Sequence, residues 1–275
     1  IIDPTNPDVV YVGAIGSPWG EHPERGVFKT TDGGKTWNKI LFTNIKSGVA
    51  DMVMDPTNPN KLIVAMWEHK RDPWFFKSGG EGSGMYMTHD GGDTWKKLES
   101  FSQVVAEQGW CIPVDPPVAS QARAIVTDAD NADVLWVGVE VGGIMYSDDA
   151  GVSWTFTAPG GNPDLHMIFP HPTKHGVLFA STGYGRLDGI AEMVEGNAGV
   201  FRSQDFGGNW DYVWKGVTPR YSRPMCIDWR DPFSLTVASA PTAFSSFKDE
   251  GGAQAMLYRS DNEGKEWRPL CDEKH

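Results

Sequence analysis

The stretch TTDGGKTW, at residues 30–37, is the first of five similar octets along the chain. The others are THDGGDTW at 88–95, SDDAGVSW at 147–154, SQDFGGNW at 203–210 and SDNEGKEW at 260–267. Each octet ends in a tryptophan, and successive tryptophans are 58, 59, 56 and 57 residues apart. A period this regular indicates a repeat architecture, in which each octet belongs to one copy of a structural unit.

Each repeat carries short runs with the properties of β-strands. In the first repeat these include VYVGA, GVFKT and WNKILF, and in later repeats an apolar run such as ADMVMD comes before them. The runs are rich in β-branched and aromatic residues and are bounded by Gly, Pro, Asn and Asp, which is typical of strands. Four strands per repeat predict one propeller blade.

The sequence therefore predicts an all-β fold, a β-propeller of five four-stranded blades that forms a single domain over residues 1–275. No stretch shows a convincing helical period. Neither end supplies the strand exchange that often latches a propeller, so the blades either close by direct contact, which we favour, or belong to a larger propeller. The predicted blades cover approximately residues 1–43, 44–100, 120–158, 162–215 and 220–271.

The octets are predicted to be structural turns. Their Asp-Gly-Gly core suits a hairpin, because Gly adopts positive φ and the Asp oxygens accept nearby backbone N–H groups. A calcium loop needs several carboxylates in close alternation and a distant Glu, whereas each octet offers one or two. Asn262 takes the place of the Asp in the fifth octet, and an amide serves a turn better than a metal site.

The composition disfavours several function classes. The net charge is −12 and there is no arginine-rich run, so nucleic acid and anionic lipid are not expected as partners. No window approaches the roughly 18 apolar residues of a membrane span. Cys111, Cys226 and Cys271 form no disulfide framework or zinc motif, and Cys226, within PMCIDW, is predicted to lie in the core. We expect no metal site and no cofactor.

The octet pattern S/T-x-D-x-G-x-x-W resembles the Asp box, or BNR repeat, of sialidase-like and VPS10/sortilin-like propellers. Residues 1–98, with PWGEHPERGVFKTTDGGKTW, resemble bacterial VPS10/sortilin-type proteins of the glycosyl-hydrolase kind. Residues 112–270, with VASQARAIV and GNPDLHMIFPHP, resemble a less characterised BNR-like group. The resemblance implies a propeller and favours a secreted or periplasmic location. It implies no single function, because this scaffold hosts enzymes and receptors alike.

Function is expected at the end of the sheets opposite the octets. In a four-stranded meander the turns after strands one and three share one face, so the loops between strands two and three lie on the other. Long loops on a rigid scaffold commonly carry function. The longest of these loops are GSPWGEHPERG (16–26), WEHKRDPWFFKSGGEGSG (67–84), TGYGRLDGIAEMVEGNAG (182–199) and APTAFSSFKDEGGAQ (240–254).

Strand register predicts a basic cluster at this end. Ala50, Arg123, His166 and Arg223 occupy equivalent positions on the innermost strand of successive repeats, and such positions converge on the central channel. Two guanidinium groups in one concavity suit a carboxylate, sulfate or phosphate.

Sialidases, which the octets resemble, use an arginine cluster for the substrate carboxylate, and the candidates here for a further arginine are Arg186, Arg220 and Arg71. The alternative interpretation is that the channel arginines pair with carboxylates and merely plug the channel. The carboxylates in question are Asp51, Glu140 and Asp164.

Glycoside hydrolysis needs two carboxylates about 5 Å or about 6.5–9.5 Å apart. The candidates are Asp51, Glu68, Glu140, Asp164, Asp188 and Asp249. A sialidase mechanism would instead use a tyrosine nucleophile, Tyr184 or Tyr221. The aromatic residues that could stack on sugar rings, or else pack the loops, are Trp19, Trp67, Trp74, Phe75 and Tyr184. His166 and His171 are five residues apart on one strand and face opposite ways, which disfavours a metal site.

Two functions remain open on the sequence. The first is a glycoside-hydrolase-like protein that acts on or binds a saccharide, possibly acidic, through Arg123, His166, Arg223, Arg186, Trp67 and Trp74. The second is a non-catalytic scaffold of the sortilin type that grips a protein or peptide with the same loops. A buried carboxylate pair with perturbed pKa values would favour the enzyme.

Overall fold

The computed structural model describes residues 1–112, 116–161, 164–183, 194–242, 250 and 252–271. The chain divides into two compact units, one of residues 1–137 and 146–155 and the other of residues 138–145 and 156–275. The regular secondary structure of the described residues is nearly all β-strand, with one α-helix and one 3-10 turn at Pro159–Gly161. Among them, no helix is long and apolar enough to cross a membrane.

Five sheets follow one another along the chain, and each joins four strands in chain order, as a propeller blade does. The first contains β1 (Ile2–Asp3), β2 (Asn6–Ala14), β3 (Gly26–Thr30) and β4 (Asn38–Leu41). The second contains β5 (Ser47–Asp55), β6 (Asn58–Asp72), β8 (Gly84–Thr88) and β9 (Lys96–Lys97), and β7 (Phe75–Ser78) pairs with the far end of β6.

After the second sheet come α1 (Glu99–Glu107) and a small ladder of β10 (Cys111–Ile112) and β11 (Val118–Ala119). The third sheet contains β12 (Ala122–Thr127), β13 (Leu135–Val139), β14 (Gly143–Ser147) and β15 (Thr155–Thr157). The fourth contains β16 (Leu165–Pro170), β17 (Leu178–Thr182), β18 (Gly199–Ser203) and β19 (Asp211–Tyr212). The fifth contains β20 (Tyr221–Ile227), β21 (Leu235–Ala240), β22 (Met256–Ser260) and β23 (Arg268–Pro269).

The octets form self-contained turns after the third strand of each sheet. In the first octet the Thr30 hydroxyl donates to Asp32 Oδ1 at 2.7 Å and accepts the N–H of Gly34 at 3.0 Å. The Asp32 carboxylate also accepts the N–H of Thr36 at 2.9 Å and its hydroxyl at 2.7 Å. Trp37 closes the turn by donating its indole N–H to the carbonyl of Gly34. The predicted turn chemistry is confirmed.

The same bonds recur at Asp90, Asp149 and Asp205. They stabilise the ionised carboxylate, so the pKa of each aspartate is lowered, to about 2 for Asp32 and Asp149. The fifth octet keeps the geometry with Asn262, whose side-chain oxygen accepts the N–H of Glu266 at 2.9 Å.

The second strand of each sheet shows which faces are covered. In β6, the run from Lys61 to His69 is buried without interruption, and β13 and β17 are buried throughout. A strand buried on both faces reads as a continuous apolar run. By contrast, Tyr11 is the one buried residue of β2, and β21 alternates between buried and half-buried residues. The second strands of the first and fifth sheets are therefore less covered than those of the other three sheets.

Two sequence predictions are wrong in this region. The helix α1 was not expected, because its nine residues offer only Phe101 and Val105 as buried positions on one face, too few to establish a period in the sequence. Cys226 is exposed rather than in the core. It lies between the buried Met225 and Ile227, and successive residues of a strand point to opposite faces.

Candidate functional site

Three of the four positions selected by strand register, Ala50, His166 and Arg223, coincide with irregular points of the strand ladders. Val49 pairs with Met66 and Asp51 with Ala65, so the ladder of β5 and β6 skips Ala50. The ladder of β16 and β17 skips His166 in the same way, and that of β20 and β21 skips Arg223 together with Pro224. Bulges of this kind re-aim a side chain and are frequent beside active sites.

In the first unit, Arg123 and Trp67 lie together. The guanidinium carbon of Arg123 is 4.0 Å from the centroid of the Trp67 ring, a cation–π contact. The same ring system stacks on His69 with centroids 4.3 Å apart, and its indole N–H donates to Ser78 Oγ at 2.9 Å. Because Trp67 is only 6% exposed, its ring packs against Arg123 and His69 and leaves little surface on which a sugar ring could stack.

Arg25, which immediately precedes β3, is fully buried. Its guanidinium donates to the carbonyl groups of Lys46, Ser17 and Gly20 at 2.6, 2.5 and 2.9 Å. Among the described residues it has no ion-pair partner, and its Nε has no hydrogen-bond acceptor. A buried cation held only by carbonyl groups is costly, and burial accordingly lowers the pKa of Arg25.

His69 is kept neutral by its surroundings. Arg25 Nη1 lies 3.5 Å from His69 Nδ1, and a guanidinium can only donate, so this nitrogen acts as the acceptor. Burial first, and then the positive charge of Arg25, lower the pKa of His69 to about 4. The imidazole is therefore uncharged at neutral pH.

Glu68 is a buried carboxylate beside this histidine in the sequence. Its Oε1 accepts a hydrogen bond from Lys77 Nζ at 2.7 Å. Burial raises the pKa of Glu68, but the hydrogen bond and charge of Lys77 outweigh it, and the pKa is lowered overall. The backbone at Gly80 approaches closely, since an added Cβ would lie 2.3 Å from the carboxyl carbon of Glu68.

These side chains border an open cleft of about 130 Å³ in the first unit. Its lining residues are Gly20, Glu21, Arg25, Lys46, Glu68, His69, Lys70 and Lys77. Four of them carry positive charge and two carry negative charge, with His69 neutral. The cleft can therefore donate hydrogen bonds to hydroxyl groups and carries a positive excess for an anionic group.

Two exposed indoles stand on the loops that form this cleft. The far end of β6 pairs with β7 from His69↔Ser78 to Asp72↔Phe75, and Trp74 lies in the turn, 85% exposed. Trp19, on the 16–26 loop, is 65% exposed. The N–H of Arg71 donates to the carbonyl of Pro18 at 2.6 Å, so the hairpin and the loop are held to each other.

Asp51 joins two sheets of the first unit. Its carboxylate accepts the N–H of Met52 at 2.8 Å and that of Ile125, on β12, at 2.7 Å. Burial raises the pKa of Asp51 in spite of these two bonds. Both oxygens are therefore already engaged by the backbone, which is the arrangement of a structural bridge between strands.

In the second unit, Asp164 and His166 lie side by side. His166 Nδ1 lies 2.7 Å from the carbonyl oxygen of Ser222, which can only accept, so Nδ1 carries a hydrogen. Nε2 lies 3.3 Å from Asp164 Oδ2. Tyr221 packs edge-on against the imidazole, and a Cβ on Gly183 would lie 2.1 Å from His166 Cε1. The ring is thus tightly held.

The remaining predicted residues lie apart or outside the described residues. Glu140 directly follows β13 and is half-buried, and the next residue, Val141, has a φ of 55°. A positive φ is strained for a β-branched residue, and such strain often occurs at functional sites. Arg223 is exposed. Tyr184 and Arg186 lie outside the described residues, as do Asp188 and Asp249.

Sequence reasoning missed Arg25 and His69. Their signal was the charged loop segments EHPERG and WEHKRDP, but Arg25 is bound by backbone carbonyl groups, which every sequence contains. Only the fold brings residues 17, 20, 46 and 69 around one guanidinium.

The curated relatives of the chain are glycoside hydrolases. A xyloglucanase from Hypocrea jecorina is 25% identical over a 316-residue alignment that covers 98% of this chain and 32% of the relative. A sialidase from Bacteroides fragilis is 27% identical over 162 residues, or 49% of this chain and 29% of the relative. The chain thus spans about a third of the length of these relatives. No family model matches it.

The fold is also found in solved GH74 enzymes. The GH74 xyloglucanase from Xanthomonas campestris superimposes with a TM-score of 0.64 at 19% identity, over 98% of this chain and 37% of that one. The GH74 enzyme from Niastella koreensis gives a TM-score of 0.62 at 15% identity, over 97% and 36%. At such identities the likeness concerns the fold alone.

Proposed function

We propose that this chain belongs to a glycoside hydrolase and supplies a saccharide-binding surface at the loop end of its first unit. The observation that carries the proposal is the placement of Trp19 and Trp74. Both indoles are exposed, and both stand on loops that are hydrogen-bonded together beside the charged cleft. The similarity to xyloglucanases over 98% of the chain supports a saccharide as the ligand class.

The chemistry of this surface suits a sugar chain. Pyranose rings present apolar C–H faces, which pack on aromatic rings, and hydroxyl groups, which need hydrogen-bond partners. Trp19 and Trp74 supply the rings. The lysines of the cleft and the Glu68 carboxylate supply donors and acceptors, and the positive excess would favour an acidic sugar.

The described carboxylates of the first unit do not suggest an acid–base pair. Asp51 pairs with Ala65, three residues before Glu68 on β6. At about 3.3 Å per residue the two backbones are roughly 10 Å apart, and an odd spacing puts the two side chains on opposite faces. Hydrolysis, as we propose it, relies on Glu140 and the Asp164–His166 pair of the second unit, with His166 and Arg223 as ligand contacts there. In the first unit, Arg123 is the proposed ligand contact.

We further propose that the five sheets are the blades of a propeller with octet turns at one end, over residues 1–43, 44–100, 120–158, 162–215 and 220–271. The four-stranded meanders and the likeness to the folds of the two GH74 enzymes support this.

The test is binding of xyloglucan and of an acidic polysaccharide, polygalacturonate, measured by affinity electrophoresis and calorimetry. The double variant Trp19→Ala/Trp74→Ala is expected to bind at least tenfold more weakly than wild type. The matched control is Trp229→Ala, since Trp229 is 68% exposed but lies outside this surface. Equal losses in both variants would contradict the proposed surface.

Turnover is tested separately on a panel of fluorogenic glycosides, including a sialoside and a uronide, with Arg123→Ala/Arg223→Ala as the variant. Loss of activity in this variant alone would assign the arginines to the substrate. If a correctly folded wild type neither binds nor cleaves any saccharide, the proposal fails and the protein- or peptide-binding scaffold takes its place.

A further inference from the structure

Trp19 lies between two carbonyl groups that a single side chain binds. Nη2 of Arg25 donates to the carbonyl of Ser17 at 2.5 Å and to that of Gly20 at 2.9 Å. The N–H of Trp19 itself donates to Ser17 Oγ at 3.3 Å. The backbone is therefore fixed before and after the indole, although Trp19 is 65% exposed.

The other end of the same guanidinium is bound at the second sheet. Nη1 of Arg25 donates at 2.6 Å to the carbonyl of Lys46, which directly precedes β5, and lies 3.5 Å from Nδ1 of His69 on β6. Each terminal nitrogen of a guanidinium carries two hydrogens, and each has two acceptors here. Arg25 thus connects the loop to the sheet and keeps no terminal N–H for a ligand, so its effect on a ligand must pass through the loop.

Gly16, at the start of the same loop, lies against Arg25. Its φ is 77°, in the left-handed region that favours glycine. A Cβ added at this position would lie 2.6 Å from Cγ of Arg25 and 2.9 Å from its Nε. The loop backbone therefore encloses the arginine closely, and a side chain at residue 16 would displace it.

We propose that Arg25 is a positioning residue for saccharide binding, which fixes the peptide groups on both sides of Trp19 and so holds the indole ready to stack on a sugar ring. This role rests on the proposed saccharide-binding surface of Trp19 and Trp74. A side chain that is ordered before the ligand arrives loses less conformational entropy on binding. A lysine cannot take the place of Arg25, because only the planar guanidinium spreads its donors over acceptors on two sides.

The first test displaces Arg25 without removing it. Gly16→Ala puts a methyl group against the arginine and is expected to bind xyloglucan or polygalacturonate about three- to tenfold more weakly in calorimetry. The matched control is Gly216→Ala. Gly216 has a φ of 78° and nothing within 4 Å of an added Cβ, so this variant carries the same backbone strain and should bind as wild type does. Arg25→Lys, which keeps the charge and loses the planar fork, repeats the test, and urea denaturation verifies that each variant is folded.

A double-mutant cycle shows whether the effect passes through Trp19. Gly16→Ala/Trp19→Ala should bind no more weakly than Trp19→Ala alone, since an absent indole cannot be misplaced. In Gly16→Ala/Trp74→Ala, by contrast, the two losses should multiply, as they do for independent sites. Losses that multiply in both pairs would overturn the proposal.

Fluorine NMR of the chain labelled with 5-fluorotryptophan observes the indole directly. The resonances of Trp19 and Trp74 are identified by their absence in Trp19→Phe and Trp74→Phe. In Gly16→Ala and in Arg25→Lys the Trp19 resonance should shift, while that of Trp74 should stay in place.

The outcomes separate this role from the binding surface on which it rests. A wild type that binds neither polysaccharide, or a Trp19→Ala variant that binds as wild type does, would contradict the surface itself. Weaker binding by Trp19→Ala together with an unmoved Trp19 resonance in Gly16→Ala would overturn the role of Arg25 alone.

Discussion

The octet turns and the Arg25 cleft both consist of charged groups held by hydrogen bonds, but they differ in where the partners come from. Asp32 takes all its bonds from residues 30–36, is half-buried, and has a pKa of about 2. Arg25 is fully buried and takes its bonds from residues up to 44 positions away. A local motif stabilises its own charge, whereas the cleft charge depends on the whole unit being assembled.

The largest effect is expected from Arg25→Met. The substitution leaves the carbonyl groups of Ser17, Gly20 and Lys46 without their donor, and unmet buried polar groups cost about 1–3 kcal/mol each. We expect a loss of about 3 kcal/mol in the free energy of unfolding, measured by urea denaturation. Arg230→Met is the control, because Arg230 is 86% exposed in its pair with Asp228, and an exposed ion pair contributes little to stability. Similar losses would show that Arg25 does not organise the cleft.

A smaller effect is expected from Gly80→Ala. The added methyl group would meet the Glu68 carboxylate and displace it from Lys77, which should cost about 1–2 kcal/mol. Gly20→Ala, on the same cleft, adds its methyl group to open space and should be close to neutral. Equal stability of the two variants in denaturant would mean that Glu68 can move without cost.

His69 should make the stability of the first unit depend on pH. Its pKa falls from 6.5 to about 4 on folding, so the unfolded state binds more protons between these values. The contribution of His69 to the free energy of unfolding is therefore complete above about pH 6.5 and is lost progressively as the pH falls to about 4. In His69→Gln, the free energy of unfolding, measured as a function of pH, should depend less on pH between about 4 and 6.5. His22→Gln, at an exposed histidine, is the control for loss of an imidazole alone. An unchanged pH dependence in His69→Gln would contradict the lowered pKa.

The smallest effect is expected within the octets. Aspartates with a lowered pKa contribute stability above their unfolded pKa of about 3.8, and it is lost as the pH falls toward 2. The slope of the free energy of unfolding against pH reports how many protons are taken up on unfolding. Asp32→Asn should therefore lower this number by up to about one below pH 4. A steepness equal to that of wild type would show that the turn bonds do not favour the ionised form.

The fifth octet offers the reverse experiment. There the Asn262 amide donates to Glu266 at 3.4 Å, whereas in the first octet the Thr36 hydroxyl donates to Asp32. Asn262→Asp alone would set two carboxylates against each other. Asn262→Asp/Glu266→Thr restores the pattern of the first octet. It should raise the number of protons taken up on acid unfolding by about one, measured in the same titration.

The comparison also explains how much the sequence could predict. The octet turns were predictable because every partner of Asp32 lies within the octet, and the four-stranded repeats followed from their spacing. The helix α1 and the exposed position of Cys226 were not, since a nine-residue segment shows little period and an apolar hexamer does not reveal which face is covered. The Arg25 cleft was beyond reach because its partners are backbone carbonyl groups.

The candidate site was predictable as a set of positions more than as a set of contacts. Register alone selected Ala50, Arg123, His166 and Arg223, and the ladders are irregular at Ala50, His166 and Arg223. Register could not show that Trp67 would be buried under Arg123, or that Asp51 would bridge two strands. Those outcomes depend on packing between sheets.

The bulges have a consequence for how this protein can change over time. A residue that the ladder skips is not paired with a residue of the neighbouring strand, so the ladder hydrogen bonds do not fix its identity. Alanine, histidine and arginine occupy the three skipped positions at Ala50, His166 and Arg223. The strand scaffold thereby provides sites where mutation can alter ligand preference while the architecture stays constant, and a screen for new specificities could begin there.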